Sequence, residues 1–106
     1  MRFIRSSREY REVYGKYKKH HGALFLFLYQ RHLEESEKAV GIVVSRKVGK
    51  AVRRNKVKRR VKAYLREHSK ELPFGKVVII AKASAGEAAW QEIREDLGRN
   101  LQALKV

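Results

Sequence analysis

The sequence predicts a single small α+β domain spanning residues 1–106, in which helices pack against a mixed sheet. Three observations carry that expectation. The chain is 106 residues long and 43% hydrophobic, enough apolar material for one modest core that needs no metal or disulfide staple. Apolar residues recur at helical spacing in three segments and in extended runs in three others. The sole proline, Pro73, lies in the turn Leu72-Pro73-Phe74-Gly75, and neither a low-complexity stretch nor a fixed repeat suggests a linker or an array.

The first helix is signalled by Ser6 with Glu9 three residues on, the spacing of a capping box, followed by Tyr10, Val13, Tyr14 and Tyr17 at i, i+3, i+4 and i+7. After the polar stretch Lys18 to His21, the run Ala23 to Tyr29 puts Leu24, Leu26 and Leu28 on one face and Phe25, Phe27 and Tyr29 on the other. That is a strand with two apolar faces. The charged segment Arg31 to Lys38 reads as a loop and Ala39 to Ser45 as a second strand, so the two strands are expected to form an antiparallel pair with a long connection. Gly49 precedes a long helix from Lys50 to about His68. A third strand follows at Lys76 to Ala81, and a last helix opens near Ser84 and Glu87, carrying Trp90, Ile93, Leu97, Leu101 and Leu104 at helical spacing. The order read from the residues is α-β-β-α-β-α, with room for one more short strand.

With 26 Lys and Arg against 11 Asp and Glu, the formal charge is +15, which is self-repulsive unless a polyanion neutralises it. No helix combines this charge with the wide apolar face that enters lipid, so a nucleic acid is expected as partner, rather than a membrane or a small-molecule substrate. Absence of cysteine excludes disulfides and thiolate zinc sites. No signal peptide or apolar run of spanning length is visible, and a cytoplasmic location is expected.

Between Arg46 and Arg66 lie eleven of the basic residues and no acidic one. At 100° per residue, Arg54, Asn55, Lys58, Arg59, Lys62 and Arg66 share one broad face, beside a narrow stripe of Val57, Val61, Tyr64 and Leu65. One side docks on the sheet and the other binds. A merely solvated helix alternates Glu with Lys. Here Lys58 with Lys62, and Lys62 with Arg66, are like charges at i, i+4, which destabilise by a few tenths of a kcal/mol each unless an anion intervenes. The RNA-binding set expected is Arg46, Lys47, Lys50, Arg53, Arg54, Asn55, Lys56, Lys58, Arg59, Lys62 and Arg66. RNA is favoured over the DNA major groove because zinc fingers are excluded and no helix closely precedes this one, as a helix-turn-helix requires.

The stretch Gly41-Ile-Val-Val-Ser-Arg-Lys-Val-Gly-Lys-Ala-Val-Arg-Arg-Asn-Lys-Val-Lys-Arg-Arg resembles the protein subunit of bacterial ribonuclease P. Ser45, Lys47, Gly49, Ala51, Val52, Arg54, Asn55, Lys58 and Arg59 match that family's signature, whereas Lys56 and Lys62 stand where Arg is frequent and lack its planar fork. The resemblance runs from Ser7 onward. It implies an α-β-β-β-α-β-α sandwich like the second domain of ribosomal protein S5, with a left-handed crossover against the usual right-handed rule. It also implies a partner RNA that carries the active site and its Mg²⁺ and cleaves precursor tRNA to release the 5′ leader. The basic helix faces that RNA, and a cleft holds the leader. On this chain the implied cleft aromatics are Tyr10 and Tyr14, with Phe27 and Tyr29 as the sheet candidates. Ordinary core packing explains the same four rings equally well, and a ring can do both.

No catalytic residue and no protein metal site are expected. A protein nuclease needs converging carboxylates or a His pair. Asp96 is the sole Asp, the glutamates are dispersed, His20 and His21 diverge on any regular element, and His32 and His68 stand alone. Ordinary solvated residues account for them. Asn55 suits capping, phosphate contact or proximity to an RNA-bound Mg²⁺. The competing readings are a structural RNA-binding protein of the ribosomal type, which needs no cleft, and a stand-alone nuclease.

Overall fold

The computed structural model describes residues 1–31 and 37–105. The expected loop Arg31 to Lys38 therefore lies mostly outside the described residues; of its two ends, Arg31 closes one strand and Lys38 opens the next.

Eight elements follow in order: β1 (Arg2–Phe3), α1 (Ser7–Gly15), β2 (Lys18–His21), β3 (Phe25–Arg31), β4 (Lys38–Val43), α2 (Ala51–Glu67), β5 (Gly75–Ala81) and α3 (Trp90–Ala103). The strands form one mixed sheet in the order β1-β4-β5-β3-β2. One of these strands, β2, fills the place of the further short strand that the sequence left unplaced, and β1 lies outside the expected order. β2 is the polar stretch Lys18-Lys19-His20-His21, paired antiparallel with β3, and β1 is two residues paired parallel with β4. The expected antiparallel pairing of β3 with β4 is also corrected. β5 inserts between them, antiparallel to β3 and parallel to β4. A parallel pair needs a crossover, and α2 is that crossover.

Helices cover both faces. Phe25, Phe27, Tyr29, Val40, Val77 and Ile79 project toward α2 and α3, where they meet Val57, Val61, Tyr64 and Leu65 from α2 and Ile93, Leu97 and Leu101 from α3. On the other face Leu28, Ala39 and Val78 meet Ile4 and Val13 of α1. The apolar stripe expected on α2 is buried at all four positions. The last helix starts later than Ser84, because residues 83–86 form a 3₁₀ turn, and Glu92 then accepts the Ala89 N–H at 2.9 Å to open α3. Ser6 caps α1 as its spacing predicts, accepting the Glu9 N–H at 3.2 Å.

Asp96 is not a solvated residue. It is buried, and its two carboxylate oxygens accept the N–H groups of Ala23 and Leu24 at 2.9 and 3.0 Å, which fixes the β2–β3 turn to α3. Asn100, also buried, donates to the Asp96 carbonyl at 2.7 Å and pairs with His20 Nε2 at 2.8 Å. Asp96→Ala leaves two turn N–H groups without acceptors. We expect it to cost about 2–6 kcal/mol in urea denaturation, from ~1–3 kcal/mol for each of the two orphaned N–H groups.

Candidate nucleic-acid interface

Three features set α2 in place. Ser45 opens a 3₁₀ turn over Arg46–Val48 by accepting the Lys47 N–H, and Val48 is buried beneath it. Gly49 follows with φ +142°, a backbone region that side chains rarely adopt, and so redirects the chain into the helix. The apolar stripe then seats α2 on the sheet.

The helix start is electrostatically unusual. Lys50 is the N-cap residue without a side-chain cap bond, and the first turn holds no acidic residue while Arg53 and Arg54 stand close by. A helix N-terminus carries partial positive charge and exposed N–H groups, so added cations are unfavourable there unless an anion binds. The basic residues divide between two flanks of the docking stripe. Toward α3, Arg53 pairs with Glu87 at 3.6 Å and Arg60 donates to the Ala88 carbonyl at 3.2 Å, which ties α2 to the segment before α3. Toward β1, Lys62 and Arg66 lie over the Phe3 ring at 5.7 and 5.5 Å from its centroid. Between the flanks, Asn55 and Arg59 point to solvent. Arg54 is partly buried, and its Nε is the one buried side-chain nitrogen or oxygen without a hydrogen-bond partner among the described residues. Arg46, Lys47, Lys50 and Lys56 are exposed and Lys58 is partly so, whereas Arg53, Lys62 and Arg66 already hold protein partners.

On the opposite sheet face, α1 covers the strands incompletely. Strand register aligns Val43, Ile80 and Leu26 in a row across β4, β5 and β3, and all three remain partly exposed beside α1. Tyr10 closes one end of this cleft. Its hydroxyl accepts the Ile42 N–H at 3.2 Å, and its ring lies on Gly41, where any Cβ would sit 2.5 Å from the ring. Burial pushes the Tyr10 hydroxyl above its ordinary pKa, which keeps it protonated. Tyr14 follows with its ring centroid 6.3 Å from that of Tyr10 and its side of the cleft open, 43% exposed.

Phe27 and Tyr29 do not belong to this cleft. Phe27 is fully buried, and Tyr29 is 7% exposed with its hydroxyl donating to the Phe74 carbonyl at 2.7 Å. Both lie under α2 and α3. Side chains alternate along a strand, so the cleft face of β3 carries Leu26 and Leu28 instead. Of the two readings the sequence left open for these rings, core packing is the one that holds for Phe27 and Tyr29. Leu26, Val43 and Ile80 were missed because the sequence gives no sign of which of two apolar faces a short helix leaves uncovered.

An ion-pair cluster holds α1 over the sheet. Arg2 of β1 bridges Glu9 and Glu37, and Lys76 of β5 lies 3.0 Å from Glu9 and 3.3 Å from Glu12. Arg2 holds the Glu9 carboxyl at about 2, against burial, which opposes it, and with help from Lys76. Burial lowers the Lys76 pKa, but the two glutamates outweigh it and the net shift is upward. A carboxyl with a depressed folded pKa stabilises the fold above its unfolded value, and that contribution is lost as pH falls through the folded one. The Glu9 contribution should thus disappear between about pH 4.5 and pH 2. In Arg2→Ala the NMR-detected Glu9 titration should move up toward its ordinary value; an unmoved midpoint would show that Arg2 is not its cause.

Among the described residues no three His, Cys, Asp or Glu side chains converge on a metal position. The model of the Ribonuclease P family matches residues 1–105. A ribonuclease P protein component of Thermus scotoductus is 47% identical over 76 residues, covering 72% of this chain and 46% of that protein. The chain thus spans about half the length of that relative. One from a Nitratiruptor species is 31% identical over 102 residues, covering 96% of this chain and 91% of the relative. The solved RNase P protein of Staphylococcus aureus superposes with a TM-score of 0.88 at 26% identity, over 98% of this chain and 95% of that one.

Proposed function

We propose that this chain, which belongs to the ribonuclease P protein family, is the protein subunit of a ribonucleoprotein that removes the 5′ leader from precursor tRNA in the cytoplasm. The observation that carries the reading is the outer face of α2. Its cations adjoin an uncapped helix N-terminus and an orphaned Arg54 Nε, and no carboxylate from the described residues pairs with Arg59, Lys58 or Arg54. That face takes the partner RNA, whose phosphates supply the missing acceptors.

The cleft between α1 and the sheet takes the leader. Tyr14 offers a ring for a base, and the Val43–Ile80–Leu26 row offers an apolar floor. A single strand fits such a surface because every base has a π-face, whereas a duplex hides its bases. The chemistry belongs to the RNA. In this reading Mg²⁺ is held by RNA and substrate, while Glu9, Glu37 and Asp96 serve structural contacts. A purely structural RNA-binding protein has no need of the half-open cleft opposite α2.

The deciding experiment is precursor-tRNA cleavage at low Mg²⁺ with protein alone, a bacterial ribonuclease P RNA alone, and both together. Cleavage at the mature 5′ end with both is expected; an unchanged rate with bound protein would leave only a structural role. Arg59→Ala should weaken binding to that RNA and flatten the log–log salt dependence by about 0.7–0.9, the loss of one neutralised phosphate. Tyr14→Ala should weaken leader-bearing substrate by about 5- to 100-fold, as expected for one lost base stack, and leave leaderless tRNA unchanged. Equal losses for the two substrates would remove Tyr14 from the leader path.

A further inference from the structure

At the sheet edge far from α2 runs a second groove, between the α1–β2 connection, β2, the end of β3 and the last turn of α3. Its walls include Lys16, Tyr17, Lys18, Arg31 and Leu104, and among the described residues no carboxylate lines it. Lys18 pairs across the ladder with Tyr29, so its side chain falls on the α3 side of the sheet, away from the Tyr10–Tyr14 cleft. Tyr17 is 41% exposed, an aromatic side chain placed between lysines rather than in either core. β2 is also an edge strand, and the outward N–H groups of such a strand are open to an acceptor.

We infer that this groove is a second docking surface for single-stranded RNA, with a base stacked on Tyr17 and phosphates held by Lys16, Lys18 and Arg31. Basic side chains interleaved with an exposed ring match the two needs of a single strand, charge neutralisation along its backbone and a platform for its bases. The segment it binds differs from the one on α2. Lys62 and Arg66 sit over β1 at one edge of the sheet and the groove lies on β2 at the other, four strand spacings or ~19 Å away at ~4.8 Å each. The protein thus bridges two RNA segments. This inference rests on the RNA-binding reading but not on the leader cleft.

The test is site-specific photo-cross-linking in the complex of the full chain with a bacterial ribonuclease P RNA and precursor tRNA. A benzophenone amino acid replaces Tyr17 in one preparation and Arg59 in another. We expect RNA cross-links at both positions, mapping to different segments. Lys16→Glu with Lys18→Glu should lower the yield at position 17 about tenfold and leave position 59 unaffected. Cross-linking at 59 with none at 17, or at 17 only to protein, overturns the second surface. Silence at both positions instead overturns the RNA-binding reading, and this inference with it. The exchanged residues are exposed, and far-UV circular dichroism checks that each variant folds.

Discussion

The parallel pairing of β4 with β5 governs the placement of everything else. Parallel neighbours cannot be joined by a tight turn, so the chain between them must leave the sheet and return across one face. That intervening chain is the basic helix α2. Its position is therefore set by strand pairing at both ends and by four buried side chains in its middle, Val57, Val61, Tyr64 and Leu65. A helix anchored this way tolerates repulsion among its outer cations. Sheet contact stabilises it by several kcal/mol, on the scale of ~1.5–3 kcal/mol per fully buried apolar side chain, whereas each like-charge pair costs a few tenths.

The acidic residues are spent elsewhere. Glu9, Glu12 and Glu37 gather around Arg2 and Lys76 to hold α1 down, Asp96 carries the β2–β3 turn, and Glu87 meets Arg53 at the rim of α2. With a formal charge of +15, neutralising the solvent face of α2 from within would have required carboxylates beside Lys58 and Arg59, where none of the described residues provides one. The surplus charge is concentrated on a rigid element, and a rigid element would lose little ordering entropy on meeting an anion.

Long periodic segments were legible in the sequence because their signal is redundant. The α2 stripe repeats over several turns, and the helix bounds Ala51–Glu67 lie within one residue of those read from the pattern. β1 and β2 left no such trace. β1 has two residues, and β2 reads Lys-Lys-His-His because it is an edge strand whose outward positions meet water, with His20 recruited by Asn100. Strand neighbours were also hidden, since β3 and β4 are consecutive in the chain yet separated by β5 in space. The candidate site divides in the same way. The cations of α2 could be named residue by residue, but the cleft floor could not.

The orientation of β3 decides how the cleft would discriminate. With Phe25, Phe27 and Tyr29 committed to the core under α2 and α3, the sheet contributes only aliphatic side chains to the floor, Leu26, Val43 and Ile80. Aliphatic surface excludes water but gives no preferred ring orientation, so any base stacking in the cleft would fall to α1 through Tyr14, and partly through Tyr10. Tyr10 is fixed by its hydroxyl on the Ile42 backbone and by Gly41 beneath its ring, and it serves chiefly to set the cleft width. The clasp of Arg2, Glu9 and Lys76 holds the helix that carries both rings. The cleft is thus walled by a nine-residue helix held by Val13 together with ion pairs, whereas the basic face is carried by a seventeen-residue helix held by four core side chains. The first attachment is screened by salt and weakened by acid; the second is not.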